Sequence, residues 1–203
     1  MQKAIAAHLI PAQIGAPLEG GFFNGLYVEN GQERVSIRAG KGGILQGVWL
    51  PSYTAVPGAR SYTDSLANTI AMAEAGSDLA KQFLALRLGG HEDWGIAARD
   101  ILELLYRNNK PTARKNCCSF RDGDNPSSLP PGYPYTPDFP AQVAIPEFQE
   151  GGELALPADW IVSSTEFSDE YAWCQYFYYG CQYDFSKGYE AFAVAVRSLA
   201  VIR

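Results

Sequence analysis

The sequence predicts an α+β fold, with two or three helices packed on twisted antiparallel sheets and long irregular loops between them. Hydrophobic residues make up 47% of the 203 positions and charged residues only 19%, so the chain can bury a core and is not disordered. Strand patterns lie toward both ends of the chain and helical patterns lie between them. This grouping, in place of a regular strand–helix alternation, is the basis of the prediction.

The first strands are predicted from short alternating segments separated by a turn signal. Residues 22–28 and 34–38 have the composition and alternation of strands. Asn30-Gly31 between them is typical of a tight hairpin turn. Glycines at 40, 42 and 43 interrupt the pattern before Val48-Trp49-Leu50.

Three helices are predicted from capping residues and apolar stripes, with bounds 65–75, 78–88 and 97–108. Asp64 or Thr63 can cap the first helix, which ends before Gly76, and Ser77 can cap the second. The third helix places apolar side chains three and four positions apart and stops before Pro111.

Residues 110–158 contain nine prolines and no regular period, which predicts a long loop that is functional or packed over a surface. Strands resume over residues 160–164, 171–177, 182–185 and 191–198, with a turn at Gly180. We therefore divide the chain into an N-terminal segment, residues 1–19, and a single domain, residues 20–203.

Charge and hydropathy exclude two classes of partner. The formal net charge is −6 and no basic stripe is present, which argues against a nucleic acid partner. No apolar run approaches the roughly 20 residues that a membrane-spanning helix needs, so we expect no membrane insertion. The N-terminal apolar stretch is short and interrupted by His8, so it makes no convincing signal peptide.

The sequence carries little enzyme or metal chemistry, and we predict that the protein is not an enzyme. Its two histidines have no partner motif, and its four cysteines, Cys117, Cys118, Cys174 and Cys181, lack zinc spacing. Cys174 and Cys181 could lie opposite each other across a hairpin, but we expect free thiols. Oxygen donors at Asp122, Asp124 and Asn125 allow a loose calcium site, although an Asx-rich turn is the favoured interpretation.

Residues 171–189 form an aromatic tract with six tyrosines, two phenylalanines and one tryptophan. Side chains in a strand alternate between two faces. In a continuous strand, Trp173, Phe177 and Tyr179 would lie on one face and Tyr176 and Tyr178 on the other. Both faces cannot be core in a domain of this size, so we predict that one aromatic face is exposed to solvent. Exposed tyrosines among Gly, Ser and Asp are typical of a recognition surface.

An ordered set of motifs resembles one known family. These motifs are Asp64-Ser65-Leu66-Ala67-Asn68-Thr69, Gly89-Gly90-His91-Glu92-Asp93-Trp94 leading to Arg99-Asp100-Ile101-Leu102-Glu103-Leu104-Leu105-Tyr106, Asn109-Lys110-Pro111-Thr112, Ser163-Ser164-Thr165-Glu166, Ala172-Trp173, Gly180, Lys187 and Ala195-Val196-Arg197. Together they resemble the C-terminal domain of collagen-like bacterial adhesins and related phage tail proteins, a family similar to C-type lectins and formylglycine-generating-enzyme-like domains. The resemblance covers residues 20–203. It implies a C-type-lectin-like fold whose last strands present a ligand-binding surface, with no catalytic residues.

A second resemblance is to proteins diversified by retroelements, in which randomised template adenines turn Asn codons into NNC codons. Such codons encode Tyr, Phe, Asp, Gly and Cys but never Trp, Gln or Lys. The family landmarks in the tract are Trp173, Gln175, Gln182 and Lys187. Ten residues between or after them all belong to the NNC set, namely Cys174, Tyr176, Tyr178, Tyr179, Cys181, Tyr183, Asp184, Phe185, Gly188 and Tyr189. An ordinary tyrosine-rich hairpin gives the same partition, so both interpretations stay open.

We predict a ligand-binding site formed by Phe167, Asp169, Tyr171, Cys174, Tyr176, Tyr178, Tyr179, Cys181, Tyr183, Asp184, Phe185, Gly188 and Tyr189. The expected partner is a host cell-surface protein or glycan, and the expected location is a phage (virion) tail tip or a bacterial cell surface. The resemblance also implies a homo-oligomer or a partner in a tail structure. The alternatives are a calcium-dependent glycan-binding adhesin domain and an enzyme of the formylglycine-generating type, which would need a reactive cysteine pair.

Overall fold

The computed structural model describes residues 3–119 and 121–203 as three α-helices packed on an eleven-stranded sheet. The helices are α1 (Ser65–Glu74), α2 (Asp78–Leu84) and α3 (Arg99–Asn109). The strands are β1 (Ala4–Ala6), β2 (Pro17–Leu18), β3 (Gly21–Glu29), β4 (Gln32–Arg38), β5 (Ile44–Val48), β6 (Gly95–Ile96), β7 (Ser128–Leu129), β8 (Trp160–Glu166), β9 (Tyr171–Tyr176), β10 (Gln182–Ser186) and β11 (Glu190–Ile202). The predicted α+β class is confirmed.

The thirteen-residue strand β11 organises the sheet, whose main strand order is β10-β9-β8-β11-β4-β3-β2. Its first half pairs antiparallel with β5, and its second half pairs antiparallel with β4. Most strand pairs are antiparallel, as predicted, but β11 runs parallel to β8 and to β1. A long central strand thus joins the hairpin β3–β4 on one side to the hairpin β9–β10 on the other.

The predicted turn and helix caps are present. Asn30 and Gly31 both have positive φ between β3 and β4, as a two-residue hairpin loop requires. The Asp64 carboxylate accepts a hydrogen bond from the Ala67 N–H at 3.0 Å, and Ser77 Oγ accepts one from the Ala80 N–H at 3.2 Å. These bonds satisfy amide groups that the first turn of a helix leaves unpaired.

Two helices differ from their predicted bounds because nearby backbone groups have other partners. Helix α2 ends at Leu84, four residues early, and the following chain makes a tight turn in which Leu88 and His91 exchange backbone hydrogen bonds. Helix α3 begins two residues late. The N–H of Ala97 donates to the Val194 carbonyl, and the N–H of Ala98 donates to Ser65 Oγ.

The core has two parts, separated by the sheet. One lies between the sheet and α1 and α2 and contains Trp49, Phe83 and Trp94. The other, which we call the lower core, lies under α3 and contains Tyr106 and Phe177. Both cores reach β8 or β9, so the hairpin β9–β10 is attached to buried structure on two sides.

The predicted long loop is confirmed, and it is packed. Across residues 110–119 and 121–158, the regular elements are the two-residue strand β7 and a short 3₁₀ turn, Pro146–Phe148. Tyr135, Phe148 and Leu156 are nevertheless buried. This loop covers the lower core and approaches the end of the β9–β10 hairpin.

The described part of the predicted N-terminal segment joins the same sheet. Ala4 and Ala6 pair with Ala200 and Ile202, and Ile5 is buried in the first core. Residues 1 and 2 lie outside the described residues.

Candidate ligand-binding surface

The aromatic tract folds into the hairpin β9–β10, which lies at one edge of the sheet. Directly paired residues on neighbouring strands place their side chains on the same face. The pairs Trp160–Tyr176 and Tyr183–Cys174 therefore share one face. The pair Asp184–Trp173 belongs to the other face.

Seven aromatic side chains form a continuous chain of ring contacts around the first face, which we call the hairpin cluster. Its members are Trp160, Tyr176, Tyr178, Tyr179, Tyr183, Phe185 and Tyr189. The ring centroids of Trp160 and Tyr176 are 4.8 Å apart, and those of Tyr176 and Tyr179 are 4.9 Å apart. These separations are typical of attractive aromatic pairs, which restrain each ring without burying it.

None of the seven side chains of the hairpin cluster is buried. Tyr183 is 54% exposed and Tyr189 is 66% exposed, while Tyr176, Tyr178 and Tyr179 are half-buried. Partial burial, together with the nearby carboxylate of Asp159, raises the pKa of Tyr176. At neutral pH its hydroxyl is therefore protonated and able to donate a hydrogen bond.

The predicted division into one aromatic core face and one aromatic solvent face is wrong in detail. Strand β9 ends at Tyr176, so the alternation does not extend to Tyr178 and Tyr179, which lie in the turn. Phe177 enters the lower core against Tyr106, with ring centroids 5.2 Å apart. Aromatic side chains consequently reach solvent on both faces of the hairpin.

The opposite face carries a second group around Trp173. Its ring lies 4.9 Å from Phe167 and 6.2 Å from Tyr62, measured between centroids. The guanidinium groups of Arg99 and Arg121 lie 5.2 and 5.3 Å from the centre of the Trp173 ring, which is cation–π distance. Phe167 belongs to this group, so the predicted site residues do not form one continuous surface.

An open groove lies at the free edge of β10 and has a volume of about 480 Å³. It brings together four of the predicted site residues, Tyr171, Asp184, Phe185 and Tyr189. Three further residues complete it and were not predicted, namely Tyr53, Glu170 and Ser186. We call these seven residues the edge groove.

Gly188 allows the Tyr53 wall of the edge groove to form. A Cβ atom at position 188 would lie 2.9 Å from Tyr53 Oη, too close for an ordinary contact. Tyr53 Oη is also 3.4 Å from Ser186 Oγ, so this tyrosine closes the groove from outside the hairpin. Gly188 thus shapes the predicted site. The predicted site residue Asp169, next to Glu170 in sequence, is exposed but does not line the groove.

The turn of the hairpin is fixed to the long loop. Thr112 Oγ1 donates to the Tyr178 carbonyl at 2.6 Å, and the Cys117 N–H donates to the Tyr179 carbonyl at 2.8 Å. A disulfide joins Cys117 to Cys181 across 64 positions of sequence. The expectation of four free thiols is therefore wrong for this pair, because the packed loop brings Cys117 to the hairpin turn.

Cys174 and Cys181 are predicted site residues that belong to the scaffold. Cys174 pairs with Tyr183, not with Cys181, and only 2% of its side chain is exposed. Burial raises the pKa of the Cys174 thiol, whose S–H donates to the Tyr183 carbonyl. The predicted ligand contact of Cys174 is therefore wrong, and Cys118 is the other free cysteine, an exposed one.

A buried ion pair holds the base of the edge groove. Lys187 Nζ lies 2.6 Å from Glu166 Oε1 and donates to the Thr54 carbonyl at 2.9 Å. Burial opposes the charge on Glu166, but hydrogen bonds from Lys187, Arg60 and the Val56 N–H outweigh it and lower the pKa of Glu166. Lys187 thereby connects the turn before β11 to the segment that carries Tyr53.

Three of the four family landmarks are buried, whereas most of the residues between them are not. Gln175, Gln182 and Lys187 are buried, and each donates or accepts hydrogen bonds with the scaffold. Of the ten residues quoted between the landmarks, nine are at least partly exposed, and Cys174 is the exception. The fourth landmark, Trp173, is partly exposed, so the partition in the codon sets follows the partition in burial for three of the four landmarks.

The residues considered for calcium hold the scaffold together. The two carboxylate oxygens of Asp122 accept from the N–H groups of Ser119 and Gln182, at 2.9 and 2.8 Å. The side-chain carbonyl of Asn125 accepts from Ser128, and Asp124 pairs with Arg99. The sulfurs of Cys117 and Cys181 lie within 4.8 Å of an Asp122 oxygen, but as a disulfide they are not thiolate ligands.

Sequence reasoning missed Tyr53, Trp160, Glu170 and Ser186. Trp160 opens a predicted strand, and pairing that strand with residues 171–177 would have placed it beside Tyr176. Tyr53 lies in a loop more than a hundred positions away and gives no local signal. Comparison with known proteins identifies no relative: no family model matches the chain, and neither a curated protein nor a solved structure is significantly similar to it.

Proposed function

We propose that this protein is a ligand-binding or receptor-binding protein that uses the hairpin cluster and the edge groove to attach to a host surface. The observation that carries the proposal is the hairpin cluster itself, seven aromatic side chains in mutual contact with none of them buried. Large aromatic residues supply most of the energy at protein interfaces. A monomeric domain gains nothing in stability from leaving so many of them at its surface.

The hairpin cluster is held rigidly, which favours a role in ligand binding. Ordering a flexible side chain on binding costs about 0.5–1.5 kcal/mol. The disulfide to Cys117, the hydrogen bonds to Tyr178 and Tyr179, and the ring contacts remove much of that cost before the ligand arrives. Linked copies at a phage tail tip or cell surface would multiply weak contacts through effective concentration.

We further propose a C-type-lectin-like scaffold whose surface residues are diversified by a retroelement. The support is that three of the four landmarks are buried and hydrogen-bonded, whereas nine of the ten residues from the NNC set are at least partly exposed. A near-identical template repeat beside the gene, differing from the coding copy only at adenines, is the expected finding. A genomic sequence without such a repeat contradicts the diversification and leaves the binding proposal standing.

The partner is expected to be a cell-surface protein or glycan. The net charge of −6 disfavours nucleic acid. Among the described residues, no helix is long and apolar enough to cross a membrane. We expect binding to persist in the presence of a calcium chelator, because Asp122, Asp124 and Asn125 are engaged within the scaffold.

Alanine substitution of the cluster tests the proposal. The variant with Tyr176, Tyr178, Tyr183 and Tyr189 all changed to Ala should lose binding to a panel of bacterial surfaces and glycans that the original protein binds. Its thermal midpoint should change little, because none of these side chains is buried. Ile202→Ala is the control, since Ile202 is 59% exposed at the far end of β11. Unchanged binding by the fourfold variant contradicts the proposal.

A further inference from the structure

The free edge of β10 exposes backbone groups that can pair with another strand. β10 is the last strand in the sheet order, and β9 is the one strand that pairs with it among the described residues. The Tyr176 N–H donates to the Cys181 carbonyl, and the Lys187 N–H donates to the Glu170 carbonyl. In an antiparallel pair the bonded residues alternate, so positions 181, 183, 185 and 187 turn toward β9. Gln182, Asp184 and Ser186 therefore direct their backbone groups outward.

Part of this outward edge is already occupied. The Gln182 N–H donates to Asp122, and the Ser186 carbonyl accepts from the Tyr189 N–H at 3.2 Å. The N–H and C=O of Asp184 and the N–H of Ser186 have no hydrogen-bond partner among the residues 3–119 and 121–203. Unpaired groups in this arrangement are a template for an added strand.

The edge groove beside these groups is lined by aromatic and acidic side chains. Its walls carry four aromatic rings and the carboxylates of Glu170 and Asp184, and no lysine, arginine or histidine is among its seven residues. The nearest cation in the sequence, Lys187, is fully buried and paired with Glu166. Aromatic faces beside carboxylates favour a cationic group, through cation–π and charge attraction.

We propose that β10 takes up an extended segment of a protein partner as an additional strand, with a lysine or arginine of that segment entering the edge groove. Main-chain hydrogen bonds would supply affinity, and the groove would select the side chain. Alternate side chains of an extended segment point the same way, so one residue in two can face the groove. The inference rests on the proposed binding function and specifies a protein segment as the ligand.

Proline substitution separates the backbone contact from the side-chain contacts. Ser186→Pro removes the outward N–H while leaving the pairing with β9, because proline is tolerated where the amide faces outward on an edge strand. Ser186→Ala is its matched control and keeps that N–H. The probes are two blocked heptapeptides of alternating threonine and valine, one with a central lysine and one with a central glutamate.

We expect the original protein to bind the lysine peptide at least tenfold more tightly than the glutamate peptide, with the difference shrinking as salt is added. Ser186→Pro should bind the lysine peptide at least tenfold more weakly than Ser186→Ala, because both variants lack the serine hydroxyl and only the proline variant lacks the outward N–H. The double variant Glu170→Gln/Asp184→Asn should remove the preference for lysine. Its control, Glu74→Gln/Glu150→Gln, alters two exposed acids elsewhere and should retain the preference.

Three results overturn the inference. They are equal binding of the two peptides, equal binding by folded Ser186→Pro and Ser186→Ala, and displacement of the lysine peptide by an equal concentration of choline. If Ser186→Pro does not fold, the inference is tested by the Glu170→Gln/Asp184→Asn variant alone, and an unchanged preference for the lysine peptide then overturns it. If the protein still attaches to bacterial surfaces in any of these cases, the proposed function stands. That function is tested separately by the fourfold tyrosine variant, and unchanged attachment of that variant contradicts it.

Discussion

Lys187 and Glu166 show how a single buried pair positions an exposed site. Neither side chain is accessible to solvent, and the ammonium group lies 4.8 Å from the centre of the Trp49 ring. Taking two charges out of water is costly, so such a pair is retained only where its geometry is good. Here the pair joins the end of β8, the segment that carries Tyr53 and the turn that carries Gly188 and Tyr189.

Glu166→Gln should destabilise the fold by about 3–5 kcal/mol at pH 7, because it leaves the buried Lys187 ammonium without a countercharge. Since the pKa of Glu166 is lowered in the folded state, its carboxylate stabilises the fold above the ordinary glutamate pKa of about 4.3 and ceases to do so as pH falls through the folded value. The free-energy difference between the original protein and the variant should therefore be constant from pH 8 to about pH 5 and shrink below that.

Urea unfolding at pH 7 and at pH 3.5 measures this difference. Arg60→Gln is a useful comparison because Arg60 also contacts Glu166, but its side chain is largely exposed. That variant should cost only about 0–1 kcal/mol. A Glu166→Gln penalty that is the same at both pH values contradicts the assignment of the stabilisation to the ionised pair.

At the scale of elements, the hairpin β9–β10 depends on the loop that covers its turn. Gly180 has a φ of +88° there, and a Cβ atom at this position would lie 2.5 Å from the ring of Tyr106. The turn is therefore pressed against the lower core and closed on its other side by the disulfide. The turn of the proposed recognition surface is thus held in place by Tyr106 and Cys117.

Replacing Cys117 and Cys181 with Ser should lower stability by about 2–4 kcal/mol, because the disulfide no longer restricts the unfolded chain. Amide hydrogen exchange of residues 176–183 should accelerate more than that of β4, and binding to host surfaces should weaken because the turn is less ordered. Cys118→Ser is the matched control and should change neither property, since Cys118 is an exposed free thiol. Equal exchange rates in the hairpin of the double variant and the original protein contradict the structural role of the tether.

The elements with local signals were predictable, and the contacts between distant elements were not. Asp64, Ser77 and Asn30-Gly31 act through neighbouring backbone groups, so α1, the start of α2 and the β3–β4 turn follow from the sequence. The disulfide does not, because it depends on how a loop without a regular period packs. The tyrosines of the site were predictable from composition, whereas the Tyr53 wall of the edge groove requires the tertiary structure.

At the scale of the whole molecule, β11 connects the proposed recognition surface to the opposite end of the sheet. Its first residue directly follows Tyr189 of the hairpin cluster, and its last residues pair with β1. Residues 190 and 202 are twelve positions apart, which corresponds to about 40 Å of extended strand. Changes at the β1 end should therefore affect stability without reshaping the hairpin cluster.

Deleting residues 1–10 should lower the thermal midpoint and increase self-association, because it removes the buried Ile5 side chain and uncovers the edge of β11 at residues 200–202. Loss of a large aliphatic side chain from the core alone costs about 2–5 kcal/mol. Attachment to bacterial surfaces at low temperature should persist, since the hairpin cluster keeps all of its contacts. Lys3→Gln is the control, because it removes only an ion pair between a half-exposed lysine and Asp93. A truncated protein that is as stable and monomeric as the original contradicts the role assigned to β1, and one that is folded but no longer attaches shows that the two ends of β11 are coupled.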